Sequence, residues 1–359
     1  MLFSTLQSVL MAGLLLGPVA SAYAEGPADR AGTTKRDLRQ PTEPTYKIQA
    51  GLDGEIYPVF ANYASLQKRD ERSLGVVSVT VSNPGDAPLR QRMAVQIVGW
   101  SDQEIQIVDI GAGAAQTFVF APTFLPRFYQ NREIIAATVQ ISVSDMAGRI
   151  AYETTIPVRL RSSQDMYWGS GFKYARFIAS WVTPHDSRVE AILAKAKEYT
   201  PDRRLPGYES WKTAGQQELE TYREARAVFM AVKHSGMSYV ESSGTLGGHK
   251  SLSERVRMPR VSLGQNSANC IDAAVMYASL FENLGMDATV VIVPGHAYAG
   301  VRAAPGSQKF LLIDVALTGR KTFEQAVASA EAGMARHNAD VVARVAIPEA
   351  RSAGIYPMP

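Results

Sequence analysis

Hydrophobic and polar residues alternate with a period of two over much of the region from residue 51 to residue 162. Val77, Val79 and Val81 alternate with Ser and Thr, and Asn83-Pro84-Gly85-Asp86 then turns the chain. The same alternation recurs at Met93, Val95, Ile97, Ile105, Ile107, Val139, Ile141, Val143, Ile156, Val158 and Leu160. Short strands separated by turn signals predict an immunoglobulin-like β-sandwich. Because no catalytic constellation falls within it, we interpret residues 51–162 as an accessory domain.

From residue 163 to residue 359 the hydrophobic period becomes helical. A first helix is expected after Thr183, which we take as its N-cap, with a buried stripe of Val189, Ile192, Leu193 and Ala196. Further helices are expected from about Gln217 to His234, from about Asn269 to Asn283, and from Thr322, where Gln325 completes a capping box. Two apolar runs precede the last helix, TVVIVPGHAYAGVR and KFLLIDVAL. The pattern predicts an α+β domain with helices packed on an antiparallel sheet.

The first 24 residues have the pattern of an export signal. An apolar run from Leu10 to Val19 leads into Ala22-Tyr23-Ala24, where small residues flank Tyr23 as a signal peptidase requires. We expect cleavage near Ala24, and a periplasmic or secreted protein. Residues 25–50 are rich in Pro, Gly, Thr and charge, which predicts a flexible tether. No later segment approaches the about 20 apolar residues of a membrane span.

Composition and charge limit the kinds of ligand and partner to expect. With 46% hydrophobic and 20% charged residues the chain can bury proper cores. The formal net charge of +3 is small and scattered, which argues against nucleic-acid binding. No metal site is expected, because the histidines lack ligand spacing; outside the His296 region these are His185, His234, His249 and His337. We expect no cofactor.

Cys270 is the only cysteine, so it has no intramolecular disulfide partner. The predicted helix places it in the first turn, where the helix dipole and exposed backbone N–H groups favour an anion. Because the thiolate is the nucleophilic form of cysteine, this position suits covalent catalysis. The alternative is a cysteine that packs as a small hydrophobic residue.

Two further residues could act with this thiol. His296 follows Pro294-Gly295 at the end of a buried run, a position that faces it toward a cleft. Asp314 is an acid in an otherwise apolar strand, where a carboxylate needs a partner. If the two strands pair as neighbours, Asp314 can accept the imidazole N–H and leave the other ring nitrogen for Cys270. A histidine bonded within the sheet is the alternative.

This segment resembles the transglutaminase-like cysteine peptidase superfamily, whose papain-like core has the same Cys-His-Asp order. The resemblance covers roughly residues 170–335. It is carried by Trp181-Val182-Thr183-Pro184, Arg257-Met258-Pro259, Asn269-Cys270-Ile271-Asp272, Tyr277 to Gly285, Val293-Pro294-Gly295-His296-Ala297, Asp314 and Thr322 to Val327. The resemblance implies that Cys270 is the nucleophile, His296 the general base and Asp314 the orienting acid.

The expected chemistry is thiol acyl transfer on amide bonds, with hydrolysis favoured over cross-linking. Gln265, Asn266 and Asn269 are candidate side-chain donors to the oxyanion, although each could instead cap a helix. Expected substrates are peptides or proteins, including proteins of the cell envelope or surface. The alternative is a catalytically silent transglutaminase-like module that serves binding or assembly in the envelope.

Overall fold

The alternating strands of the N-terminal half form two sheets that share one apolar core. The computed structural model describes residues 43–68, 74–208, 213–241, 252–337 and 340–359. The strands of this half are β1 Thr45–Ala50, β2 Glu55–Ile56, β3 Val77–Ser82, β4 Leu89–Ile97, β5 Glu104–Ile110, β6 Ala115–Phe120, β7 Ile135–Ser144 and β8 Ile150–Leu160. One sheet has the order β1-β3-β6 and the other β2-β8-β7-β4-β5. All neighbours are antiparallel except β2 and β8.

The period-two pattern identified the buried face of most of these strands. Val77, Val79 and Val81 of β3 are at most 1% exposed and face the shared core. In β5 the prediction of inward Ile105 and Ile107 is wrong, because both are exposed. The neighbouring positions Gln106, Val108 and Ile110 are buried instead. When both faces of a strand carry large apolar residues, periodicity alone does not show which face is buried.

The predicted tether of residues 25–50 is too long at its C-terminal end. Residues 45–50 form β1, which pairs antiparallel with β3 from Thr45 opposite Ser82 to Ala50 opposite Val77. Tyr46 and Ile48 pack against the sandwich core. Pairing with β3 gives the backbone N–H and C=O groups of β1 their hydrogen-bond partners, so this weakly apolar segment becomes ordered. The rest of the tether, up to residue 42, and the predicted export signal lie outside the described residues.

The C-terminal half is built from helices and a four-stranded antiparallel sheet. The strands of this half are β9 Asp165–Tyr167, β10 Ser238–Tyr239, β11 Ser253–Arg255, β12 Ser267–Ala268, β13 Ala288–Val293, β14 His296–Arg302, β15 Phe310–Ile313 and β16 Ala343–Ala346. The helices of the whole chain are α1 Pro58–Leu66, α2 Pro126–Gln130, α3 Ser187–Ala196, α4 Ala214–His234, α5 Pro259–Gln265, α6 Cys270–Asn283, α7 Phe323–Arg336 and α8 Ile347–Ser352. The sheet has the order β15-β14-β13-β16. The protein is therefore a mixed α+β structure with several antiparallel sheets.

Helix α6 is the central element of the second core. It packs on β13 and β14, while α7 packs on β15. Eleven successive residues of α6, from Ile271 to Phe281, are buried, and this includes the polar Asp272 and Ser279. A helix that is buried all round must find partners for its polar groups. Ser279 accepts a hydrogen bond from the Thr183 backbone N–H at 2.9 Å and donates to the Val275 carbonyl.

The predicted start of α3 at Thr183 is wrong. The N-cap is Asp186, whose carboxylate accepts from the Arg188 backbone N–H, and the helix begins at Ser187. Thr183 instead lies in the extended segment that contacts α6. The predicted stripe is confirmed, since Val189, Ile192, Leu193 and Ala196 are buried. The helix ends predicted at His234 and Asn283 and the capping box of Thr322 with Gln325 are also confirmed.

The two halves meet around α1 and the buried Arg161. The described residues belong to one compact unit, and Tyr57, Phe60 and Tyr63 pack in the second core although they precede most of the sandwich. The Arg161 guanidinium is fully buried, 2.9 Å from an Asp165 carboxylate oxygen. It also lies over the Tyr57 ring at 5.4 Å. A buried cation needs such partners, so this cluster fixes the junction.

In the part of the chain that the structure describes, no helix has the length and apolar character to cross a bilayer.

We predict that Arg351→Met destabilises the protein by about 2–3 kcal/mol, because it breaks a partly buried pair at the end of α6. Arg351 binds both carboxylate oxygens of Glu282, at 2.8 and 2.9 Å, and donates to the Ala179, Val182 and Ile355 carbonyls. Urea unfolding measures the change. Arg204→Met, at an exposed position, is the control and should stay within about 0.5 kcal/mol of the wild type. An equal effect of both variants would contradict the assignment.

Candidate active site

Cys270 is the first residue of α6 and is partly exposed. Asn269 precedes it as N-cap, and its side-chain oxygen accepts from the Asp272 backbone N–H at 2.9 Å. The Asp272 carboxylate accepts in return from the Asn269 backbone N–H at 3.3 Å, which completes a capping box. This box fixes the turn that carries the thiol. The thiol therefore lies at the positive end of the helix dipole, as predicted.

A buried ion pair fixes the position of this helix terminus. Arg257 donates from its Nε to one Asp272 oxygen at 2.6 Å, and its backbone N–H donates to the other oxygen at 2.7 Å. Asp272 is fully buried. In the first turn of α6 this negative charge complements the helix dipole. In the structure the same carboxylate also joins the segment before α5 to the start of α6.

His296 is the first residue of β14. It stands opposite Val293 across the turn at Pro294-Gly295, where Gly295 has φ +73°. At this φ an L-residue with a side chain is strained, so glycine suits the turn. The imidazole lies edge-on to the Tyr298 ring, with centroids 4.8 Å apart. His296 and Tyr298 are two residues apart and so share one face of the strand.

Asp314 directly follows β15, and the predicted pairing of its strand with β14 is present. Continuing the register beyond Ala299 opposite Ile313 makes Asp314 a diagonal neighbour of His296, within reach of its side chain. The distance from the imidazole Nε2 to Asp314 Oδ1 is 2.9 Å. The second oxygen, Oδ2, accepts from the Ser329 hydroxyl of α7 at 2.8 Å. The carboxylate is thereby held in place on both sides.

Asp314 and Cys270 both act on the imidazole. Asp314 binds Nε2, so Nδ1 is the ring nitrogen left to face the thiol. Burial lowers the pKa of His296. Hydrogen bonding and the negative charges of Asp314 and Cys270 together outweigh burial and raise that pKa to about 9. The imidazolium form is thus favoured.

The thiol and the imidazole open onto one cleft of about 300 Å³. One wall is formed by the start of α6 and the β13–β14 turn, including Ile271, Ile292 and Ala297. The other wall carries aromatic and acidic residues, namely Trp168, Phe172, Tyr239, Glu241 and Glu254. Clefts of this size that combine apolar walls with a few polar groups are typical of small-ligand and peptide sites.

The candidate oxyanion donors Gln265, Asn266 and Asn269 do not line this cleft. Gln265 accepts from Arg257 Nη1 at 3.3 Å. Asn266 takes a left-handed conformation, φ +49°, as the C-cap of α5, and Asn269 caps α6. The structure therefore gives these amides helix-end and ion-pair contacts. Trp168 lines the cleft, whereas Trp181 is buried in the core.

Sequence reasoning missed Ser329, Glu241, Glu254 and Tyr239. Ser329 did carry a signal, because it stands next to the buried Ala330 and three residues after the buried Ala326 on an amphipathic helix. A polar residue at such a position calls for a partner. Glu254 lies within β11 and Glu241 shortly after β10, and strands of two or three residues are too short to give a periodic signal. Within the described residues no cluster of three or more side chains could hold a metal ion.

Comparison with known proteins does not identify a family. No protein-family model matches the chain, and no curated protein matches it. A FixG-related protein from Vibrio parahaemolyticus is 9% identical over 33% of this chain and 95% of its own, with a TM-score of 0.18. An alpha-2-macroglobulin fragment from Escherichia coli, from domain MG7 to the C-terminus, is 11% identical over 45% of this chain and 32% of its own, with a TM-score of 0.19. At these scores neither likeness carries an argument.

Asp272→Asn should destabilise the fold by about 3–5 kcal/mol, because it leaves the Arg257 guanidinium buried without its counter-charge. Urea unfolding followed by far-UV circular dichroism measures the loss. The control is Asp109→Asn, whose exposed pair with Arg90 spans 3.7 Å and should contribute less than about 1 kcal/mol. Equal losses in the two variants would show that the Arg257 pair does not fix the helix start.

The His296 imidazole should titrate near pH 9 in NMR spectra, and Asp314→Asn should lower that midpoint by removing the negative charge beside the ring. Because the folded-state pKa exceeds the ordinary 6.5, this contribution to stability is complete below pH 6.5 and is lost as pH rises through about 9. The stability gap between wild type and Asp314→Asn should shrink accordingly over that range. Asp109→Asn is the matched carboxylate control. An unchanged midpoint in Asp314→Asn would refute the coupling.

Proposed function

We propose that the protein transfers acyl groups from amide bonds of peptides or proteins to its Cys270 thiol, and that it acts mainly as a hydrolase. The observation that carries the proposal is the grouping of Cys270, His296 and Asp314 at the edge of a cleft, where the imidazole binds Asp314 and is influenced by Cys270. A nucleophile, a base that contacts it and a third group that orients the base form the minimal arrangement for such chemistry.

The proposed reaction starts from the ion pair in which the proton of the Cys270 thiol resides on His296 Nδ1. The thiolate sulfur attacks the amide carbonyl carbon, and the C=O π pair moves to the oxygen. The Cys270 and Ile271 backbone N–H groups lie at the start of α6, where a helix supplies no internal acceptor, and are suited to stabilise that oxyanion. The intermediate collapses with C–N cleavage while the imidazolium gives its proton to the leaving amine, and an acyl-thioester remains.

Water then completes the cycle. His296 accepts a proton from the water, whose oxygen attacks the thioester carbonyl, and the C–S bond breaks to release a carboxylic acid. An amine in place of water would give transamidation. Asp314 holds the imidazole with Nε2 toward the carboxylate and Nδ1 toward the sulfur, so that the same nitrogen serves both half-reactions.

The sequence resemblance supports the same assignment. We propose that the C-terminal half is a transglutaminase-like domain and that the two-sheet N-terminal half is an immunoglobulin-like accessory unit. The predicted export signal at residues 1–24 places the proposed substrates among proteins and peptides outside the cytoplasm. The chemistry of the three residues requires neither metal nor cofactor.

Cys270 should alkylate with iodoacetamide at pH 7 at least about tenfold faster than a cysteine in an unfolded peptide. His296→Ala should remove this advantage, because the imidazolium that stabilises the thiolate is lost. His234→Ala is the matched control, since His234 bonds Tyr199 elsewhere on the protein. Slow alkylation that His296→Ala leaves unchanged would favour a binding or assembly module over an enzyme.

Turnover itself is tested on mixed peptide libraries. We expect wild-type protein to generate new peptide termini, identified by mass spectrometry, and Cys270→Ala to generate none. Asp314→Asn should retain folding but lose about 10²-fold or more in kcat/KM, as expected for a misoriented general base.

A further inference from the structure

One wall of the cleft carries two carboxylates. Glu241 and Glu254 both line it, and among the described lining residues there is no lysine or arginine. The Tyr239 hydroxyl donates to Glu241 at 2.6 Å. The charge of Cys270 also acts on the Tyr239 hydroxyl. Tyr239, Glu241 and the thiol therefore belong to the same cleft. Arg320 acts on Tyr239 electrostatically but does not line the cleft.

Glu254 is the more enclosed of the two carboxylates. Burial raises its pKa to about 7; a hydrogen bond from the Trp168 side chain opposes this rise, and the charges of Asp272 and Glu241 add to it. Asp272 is already paired with Arg257. Among the described residues that line the cleft, the only cation is the His296 imidazolium, which is paired with Asp314. A partly buried carboxylate near others of like charge is stabilised by any cation that enters.

Aromatic side chains surround the same space. Trp168, Phe172 and Tyr239 line the cleft together with the two glutamates. Aromatic faces attract ammonium and guanidinium groups and also pack against alkyl stems. A cavity with aromatic walls and two carboxylates beside a nucleophile therefore has the composition that recognises a lysine or arginine side chain.

We infer that the cleft selects peptide substrates with a lysine or arginine close to the cleaved amide, and that Glu241 and Glu254 bind its positive charge. The inference rests on the proposed function, which it extends to a substrate class. The acidic wall also affects the choice between hydrolysis and cross-linking.

A lysine must lose its proton to attack a thioester, and two neighbouring carboxylates raise the pKa of an amine. The acidic wall therefore suits recognition of a cation better than activation of an acceptor amine.

The first experiment measures charge selectivity at Cys270 without requiring turnover. Two methanethiosulfonate reagents, one with a 2-aminoethyl and one with a 2-sulfonatoethyl group, react with thiols by the same chemistry but differ in charge. Relative to a cysteine in an unfolded peptide, wild-type protein should favour the cationic reagent by about tenfold or more at low salt. The double variant Glu241→Gln with Glu254→Gln should lose most of that preference. Glu153→Gln, an exposed position on β8, is the matched control.

Added salt should reduce the wild-type preference, since screening weakens charge selectivity. The preference should also fall as pH drops through about 7, where Glu254 gains a proton. If the double variant, checked for folding by circular dichroism, keeps the full wild-type preference, the inference is overturned. Single Glu241→Gln and Glu254→Gln variants repeat the test if the double variant is unfolded.

The second experiment uses peptides that are identical except for lysine or its neutral isostere norleucine. Wild type should show at least about tenfold higher kcat/KM for lysine at one position, and the double variant should lose this ratio. Equal hydrolysis of both peptides would overturn the inference about substrate charge but would still support the proposed hydrolase function. If neither peptide is cleaved but the lysine peptide alone protects Cys270 from iodoacetamide, cation recognition stands and the proposed turnover fails.

Discussion

The buried carboxylate of Asp272 sets the point at which α6 begins. It receives hydrogen bonds from the Arg257 side chain, the Arg257 backbone and the Asn269 backbone. A charge with no solvent exposure is tolerated only with such partners, so its position is strongly constrained. Cys270 lies two residues earlier on the same turn. The backbone of Cys270 can therefore move little without breaking a buried ion pair.

The opposite side of the cleft is fixed by sheet register. The tight turn at Gly295 brings His296 opposite Val293, and the β14–β15 pairing places Asp314 within 2.9 Å of the imidazole. Ser329 on α7 then holds the second carboxylate oxygen. Helix packing on the sheet joins this assembly to α6, and the histidine carries a raised pKa because both neighbours favour its charged form. Thus one ion pair and one hairpin register together define the geometry around the thiol.

Sequence reasoning was accurate where the signal is local. The helix that follows Asn269, the capping box at Thr322 and the buried stripe of α3 depend on residues within a few positions of one another. It was wrong where a distant partner decides the outcome. Thr183 was predicted as a cap, but its backbone binds Ser279 of α6, and β5 buries Val108 and Ile110 rather than Ile105 and Ile107. Residues 45–50 appeared too polar for structure until pairing with β3 ordered them.

By itself the sequence determined the chain order of the three site residues and the type of element that carries each. It also determined that one thiol is present and that Asp314 needs a partner, because burial of a charge is costly whatever the fold. Only the tertiary structure decided the register that joins His296 to Asp314, the ion pair beneath Cys270 and the placement of Glu241 and Glu254 on the cleft wall. These depend on contacts between distant segments, and the periodicity of a single segment reports which of its faces is buried but not which partner covers it.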